Sequence, residues 1–426
     1  MKIKRTKFQY VAAAALALAG LAASPTVSAD EVTDWNDNMI NAILTARVGA
    51  APATRVTAMV QSAVFDAVNG VYKRYTPVHV PAEAPPGTSA RAAAVQAAYA
   101  VLLKQFSAQK GTLDAELAAS LAGLDEDGDG VFGQSVERGL AWGQHVADEI
   151  WAWRSTDGFN PPPPPFLGTN LTGVWRPTPP GFLSGATPQL AYTAPWAIDD
   201  PANFLPPGPP ALGSARYAMD YLEVQIMGHT NSTTRTADET SFCVFWTANT
   251  PLFWNRAAVQ VAERNDLSLL ENAHVLATLN VALADAVICC WKAKYIHQFW
   301  RPVTAIPLGA TDGNDATVPD ATWAPLVITP NHPEYPSGHS SQSGAAAGVL
   351  AAFFGDETEF SATSEVTPGV TRYYTSFTTA AEEAGDARVF GGIHFRSACN
   401  DANAMGREVA SYILQNAFHR LHGNAR

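Results

Sequence analysis

The sequence predicts an all-α protein of bundled helices, crossed by one long proline-rich ordered loop. Three observations carry that expectation. Apolar residues recur at helical spacing from about residue 35 to 153 and again after 211. Alternating β-branched runs, which mark half-buried strands, are nearly absent. Finally, 15 of the 30 prolines fall between residues 161 and 210, where neither a helix nor a central strand can form.

The chain divides along the same lines. Residues 1–29 read as a signal peptide: Lys2, Lys4, Arg5 and Lys7 open it, an alanine- and leucine-rich run follows, and Val27-Ser28-Ala29 offers a small-residue cleavage site. Cleavage after Ala29 predicts a secreted or periplasmic protein. The run is too short and alanine-rich for a membrane span, and the later apolar stretch 275–290 is interrupted by Asn280 and Asp285, so no membrane partner is expected. Residues 30–160 form an N-terminal helical region with alanine-rich helices near 91–106 and 114–124. Between them and the next helix, Asp125, Asp127, Asp129 and Gly130 imitate the start of a calcium loop. The twelfth position is Val136, however, and the glutamate arrives one residue late at Glu137, which favours an acidic turn.

Residues 161–210 form the proline-rich loop, and Trp175, Phe182, Tyr192, Trp196 and Phe204 predict that it is ordered, because disordered linkers are poor in aromatics. Residues 211–426 form a C-terminal helical region, with helices expected over 217–227, 267–300, 340–354, 378–390 and 402–419. A chain that is 47% hydrophobic can bury a large core. Its net charge of −12, more negative still without the basic leader, excludes nucleic acid as a partner. Cys243, Cys289, Cys290 and Cys399 have no zinc-ligand spacing; they permit two disulfides, with buried free thiols an equal alternative.

Against that acidic background, three segments concentrate groups that grip a tetrahedral oxyanion. Lys294 and Arg301-Pro302 close a long helical pattern. Seven residues apart, the two cations would share a helix face, with Pro302 ending the helix. Pro336-Ser337-Gly338-His339 precedes an alanine- and glycine-rich helix, which places the Ser337 hydroxyl and Gly338 amide at a helix N-terminus with His339 beside them. Arg388 and His394 are six apart, and Gly391-Gly392 between them would break the helix and turn the histidine back. Each segment alone has a bland reading: a solvated basic face, a capping turn, a core histidine. Together they supply three cations, a hydroxyl, an amide and two imidazoles, the inventory of a phosphate-shaped anion site.

Lys-x6-Arg-Pro, then PSGH, then Arg-x5-His resembles the signature shared by vanadium-dependent haloperoxidases and type 2 phosphatidic acid phosphatases. Residues 173–180 and 234–246 also resemble the longer, exported haloperoxidases. That resemblance implies a haloperoxidase-like helical fold and vanadate as cofactor. Lys294, Arg301, Ser337, Gly338 and Arg388 would hold its oxygens, His394 would bond to vanadium, and His339 would act as the acid-base residue. Lys294 would also withdraw charge from bound peroxide. The implied partners are hydrogen peroxide, halide and an organic acceptor. The alternative is an acid phosphatase in which His394 carries a phosphohistidine intermediate. One departure is Ala387, where the family usually has serine. An acidic partner for His339 is expected, with Asp238 and Glu239 as candidates in the matching region. Two halide-site candidates disagree: Trp291 matches chloride oxidisers, whereas His332 resembles the bromide oxidisers' histidine. His332 carries more weight because the resemblance places it at the site, so bromide or iodide is expected before chloride.

Overall fold

A computed structural model describes residues 30–124 and 133–421. The expected signal peptide at residues 1–29 and the acidic turn expected at 125–132 lie outside the described residues. The fold is mostly helical. Its N-terminal half contains α1 (Glu31–Thr45), α2 (Ala50–Tyr72), α3 (Ala90–Gln105), α4 (Lys110–Ala122) and α5 (Gln134–Ser155). After the proline-rich loop come α6 (Ala215–Met227), α7 (Ala237–Phe245), α8 (Thr250–Arg264), α9 (Leu269–His297), the short α10 (Pro302–Ala305), α11 (Gly338–Phe354), α12 (Phe377–Phe390) and α13 (Arg396–Asn416). Capping residues set several starts: Asp30, Thr236, Ser268 and Ser376 each close a capping box. One feature was not expected, a small antiparallel hairpin of β1 (Phe360–Thr363) and β2 (Thr371–Tyr374), with Phe360 opposite Tyr374.

The 29-residue α9 is the axis of the molecule, packed on α2, α11, α13 and α8. By length and composition it could cross a membrane, yet 94% of its most apolar window is buried inside the fold. Its polar residues explain why it suits a protein core. Asn280 and Asn255 exchange side-chain hydrogen bonds of 2.8 and 2.9 Å. Asp285 accepts the backbone N–H groups of Trp196, Ala197 and Ile198 at 2.7, 2.8 and 3.1 Å, which pins the proline-rich loop to the core. That loop is ordered: Trp175, Leu190 and Ile198 are buried. All four cysteines are buried free thiols.

The loop also shortens α9. The chain turns at Gln298, in the left-handed region at φ 49°, and runs extended beside residues 173–175. Gln298 O accepts the Trp175 N–H at 2.6 Å, and the Trp300 N–H donates to Gly173 at 3.0 Å. Arg301 therefore stands outside α9 as the N-cap of α10, and Pro302 begins a helix instead of ending one. The expected shared helix face for Lys294 and Arg301 is replaced by a bend that brings the two together by another route. In the same way α13 starts at Arg396, six residues before its expected start, directly behind His394.

Two glycines allow α11 and α13 to meet backbone to backbone. A Cβ on Gly344 would lie 2.2 Å from Asn403 O, and one on Gly406 would lie 2.1 Å from Ser341 O. This close approach holds the N-terminus of α11 against the loop that carries His394.

Candidate anion site

Ser337 caps α11: its hydroxyl accepts the Ser340 N–H at 3.3 Å and the Ser340 hydroxyl at 3.0 Å. Gly338 opens the helix, and the ring of Trp291 lies against it where a side chain would press, 3.1 Å from an added Cβ. His339 follows. Its Nε2 is buried without a hydrogen-bond partner and its ring contacts the Ala248 backbone. Burial, then the Arg388 charge, hold this imidazole well below its ordinary pKa, in the neutral form.

The third segment folds as its glycines suggest. α12 ends at Phe390, Gly392 adopts φ 80°, and the His394 N–H returns to Arg388 O at 3.2 Å. Arg388 donates one bond, Nη1 to Trp246 O at 3.1 Å, while its Nε has no partner. Burial lowers its pKa to about 10.

His394 is held from both sides. Its Nδ1 lies 2.8 Å from Glu334 Oε1, and its Nε2 lies 3.0 Å from Arg301 Nη1. Because the guanidinium can only donate, Nε2 must be the acceptor and Nδ1 carries the proton to Glu334. The Phe395 N–H donates to the same carboxylate oxygen at 2.9 Å. Glu334 is fully buried, its Oε2 has no partner, and burial raises its pKa to about 8 against the pull of Arg301.

Lys294 and Arg301 sit beneath this pair, fully buried. Lys294 donates to the carbonyls of Pro333 at 2.8 Å, Glu334 at 3.0 Å, and Pro336. Arg301 donates Nε to His332 O at 2.9 Å, Nη1 to Ile393 O at 2.6 Å, and Nη2 to His332 Nδ1 at 2.9 Å. Burial lowers the two pKas to about 7 and about 9. His332 in turn lies against Trp291, the two rings tilted by 48° with centroids 5.1 Å apart.

Gly338, His339, Arg388, His394, His332 and Trp291 line one cavity of about 580 Å³. Lys294, Arg301 and Ser337 form the layer behind them. The candidates expected beside His339 lie elsewhere. Asp238 pairs with Arg372 at 2.9 Å and is 71% exposed, and Glu239 closes the cap on Thr236 at 2.6 Å. Neither lines the cavity, because α7 turns both towards its own N-terminus and the hairpin. The buried acid of the site is Glu334, and it serves His394. Its signal was present in the sequence: it is the one acidic residue between His332 and His339, set among prolines.

The donor set fits a tetrahedral oxyanion such as vanadate. Three buried cations face a single buried carboxyl group, Arg388 Nε and His339 Nε2 are orphaned at the cavity, and His394 lines it with an unprotonated Nε2 that accepts from Arg301.

The family model for the second helical-bundle domain of vanadium chloroperoxidase matches residues 274–423, which include all three segments. The vanadium chloroperoxidase of Curvularia inaequalis is 32% identical over 27% of this chain; the match spans 22% of that protein. Among solved structures, a bacterial vanadium-dependent iodoperoxidase superposes with a TM-score of 0.81 at 26% identity, covering 92% of this chain and 97% of its own. A bacterial vanadium-dependent chloroperoxidase in its holo form has a TM-score of 0.67 at 17% identity, covering 92% and 94%, a likeness of fold alone.

Proposed function

From the premise that this chain belongs to the vanadium-dependent haloperoxidase family, we propose that it oxidises halide with hydrogen peroxide to a hypohalous acid. Peroxide, halide and a proton give hypohalous acid and water. The observation that carries the reading is His394, which lines the cavity with an unprotonated Nε2 because Nδ1 holds its proton towards Glu334, beside buried Arg388 and with Lys294 and Arg301 in the layer behind. Bound vanadate would supply a Lewis-acidic centre that polarises peroxide towards halide. His394 would ligate it through Nε2, the Arg301 Nη1 hydrogen bond giving way, and Arg388 would donate from its free Nε. Lys294 and Arg301 would add charge from the layer behind. Neutral His339 can accept and return a proton at Nε2 beside the same cavity.

Iodide or bromide is the proposed halide. His332 on the cavity wall supports this, as does the whole-chain likeness to a protein described as an iodoperoxidase. We also read the enzyme as exported, on the strength of the basic start and the Val27-Ser28-Ala29 site.

The purified chain supplied with orthovanadate, peroxide and iodide or bromide should halogenate a diketone reporter, and His394→Ala should abolish this. No halogenation but steady hydrolysis of an aryl phosphate would favour the acid phosphatase. In that enzyme His394 Nε2 would attack phosphorus directly.

A further inference from the structure

The cavity is larger than its inner chemistry requires. A tetrahedral oxyanion, peroxide and one halide fill only part of about 580 Å³, a volume typical of pockets for organic small molecules. The outer part is built mainly from the turn between α1 and α2, facing the 247–249 turn and the 327–330 loop. Leu44, Val48, Pro52, Ile328 and Trp291 give it an apolar wall, and Ile328 is 76% exposed.

One charge stands on that wall without a partner among the described residues. Arg47 is exposed, held in the left-handed region at φ 53°. Glu365, the acid lining the same cavity, is already engaged by Arg256 at 3.1 Å and the Asn249 N–H at 2.7 Å. The turn beneath Arg47 is rigid. Its N–H donates to Leu44 O at 3.0 Å and the Val48 N–H to Ile43 O at 3.1 Å, while Asn249 Nδ2 ties Val48 O across the cavity at 2.9 Å. An unpaired guanidinium carried on a hydrogen-bonded turn beside an apolar wall is an arrangement that selects an amphipathic anion.

We propose that the outer cavity binds the organic acceptor, and that it selects an electron-rich aromatic or enolic acid whose carboxylate pairs with Arg47. This deepens the haloperoxidase reading and rests on it. Hypohalous acid formed at the inner site meets the ring held above it: a ring carbon bonds to halogen, and the displaced proton leaves with the hydroxide as water. The product is then set by the pocket and not by the acceptor's reactivity in free solution.

Calorimetry on the full chain without vanadate, using 4-hydroxyphenylacetate and the neutral 4-ethylphenol as probes, tests the site directly. The acid should bind more tightly, and Arg47→Ala should weaken it about tenfold while leaving 4-ethylphenol unchanged. With the loaded enzyme, a competition between the two phenols should yield an excess of halogenated acid over the ratio given by reagent hypohalite. Arg47→Ala should return that ratio to the reagent value. Equal binding of the two probes, or a product ratio that matches the reagent and ignores the substitution, overturns the proposal. If no halogenation occurs at all, the haloperoxidase reading fails, and the calorimetry still decides the acceptor site.

Discussion

Replacing Glu334 by alanine separates the aiming of His394 from the attraction of the anion. The carboxylate is fully buried, and one oxygen accepts both His394 Nδ1–H at 2.8 Å and the Phe395 N–H at 2.9 Å. A buried hydrogen bond to a charged group contributes about 1.5–3 kcal/mol. Losing it frees the ring to rotate or to move its proton to Nε2, where it would block ligation. Vanadate affinity should therefore fall about 10- to 100-fold. Phosphate held by charge alone should behave differently, because Glu334→Ala leaves Lys294, Arg301 and Arg388 in place to attract it. Glu334→Gln keeps an acceptor oxygen and should restore most of the vanadate affinity. The assay is titration of vanadate-free protein with orthovanadate, following the return of halogenation, beside calorimetry with inorganic phosphate. Parallel losses for both anions, or no loss of vanadate, would refute an aiming role.

Two further outcomes test how the fold supports the site. Burial raises Asp285 from 3.8 to about 6, so its contribution is complete below pH 4 and is lost as pH climbs through 6. A shift of that size is worth roughly 3 kcal/mol, and urea unfolding at pH 4 and pH 7 should show a drop larger by that amount in the parent protein than in Asp285→Asn; equal drops would contradict it. Gly406→Ala places a Cβ 2.1 Å from Ser341 O and 2.8 Å from Ala345 N, so α11 and α13 must part. Overpacking of this kind costs about 1–3 kcal/mol, and an unchanged melting temperature would show that the close approach is not needed.

Helix periodicity made most of the fold legible. The expected helices at 91–106, 217–227 and 378–390 differ from α3, α6 and α12 by two residues or fewer. The end of α9 was not legible because tertiary pairing decides it: residues 173–175 capture the chain at Gln298, and no local signal at residues 298–301 announces a partner more than a hundred residues upstream. The hairpin escaped for a similar reason. Its strands are four residues each, too short to show alternation. At the site, the three motifs located Arg388, His339 and His394 at one cavity, since PSGH and Gly391-Gly392 are local devices. The layering was hidden. Whether a cation faces the cavity or the carbonyls of 333–336 depends on where the chain after α9 bends. Asp238 and Glu239 were drawn in by their position in a matching region, although α7 uses both at its own surface.

The layering changes what the cations do. Lys294 and Arg301 are charge donors, but they also hold the loop that positions everything else. Lys294 gathers three carbonyls of residues 333–336, and Arg301 grips His332 and Ile393 while donating to His394. Glu334 lies in that loop, and the loop runs directly into the cap of α11 and His339. Desolvation by burial depresses all three pKas, and the one buried carboxyl group beside them does not balance three guanidinium and ammonium groups. An anion in the cavity supplies the missing negative charge where solvent screening is weak. Its binding therefore stabilises the same loop that aims the histidines. On a chain whose net charge of −12 repels anions at long range, this local imbalance gives the cavity its attraction for a tetrahedral oxyanion.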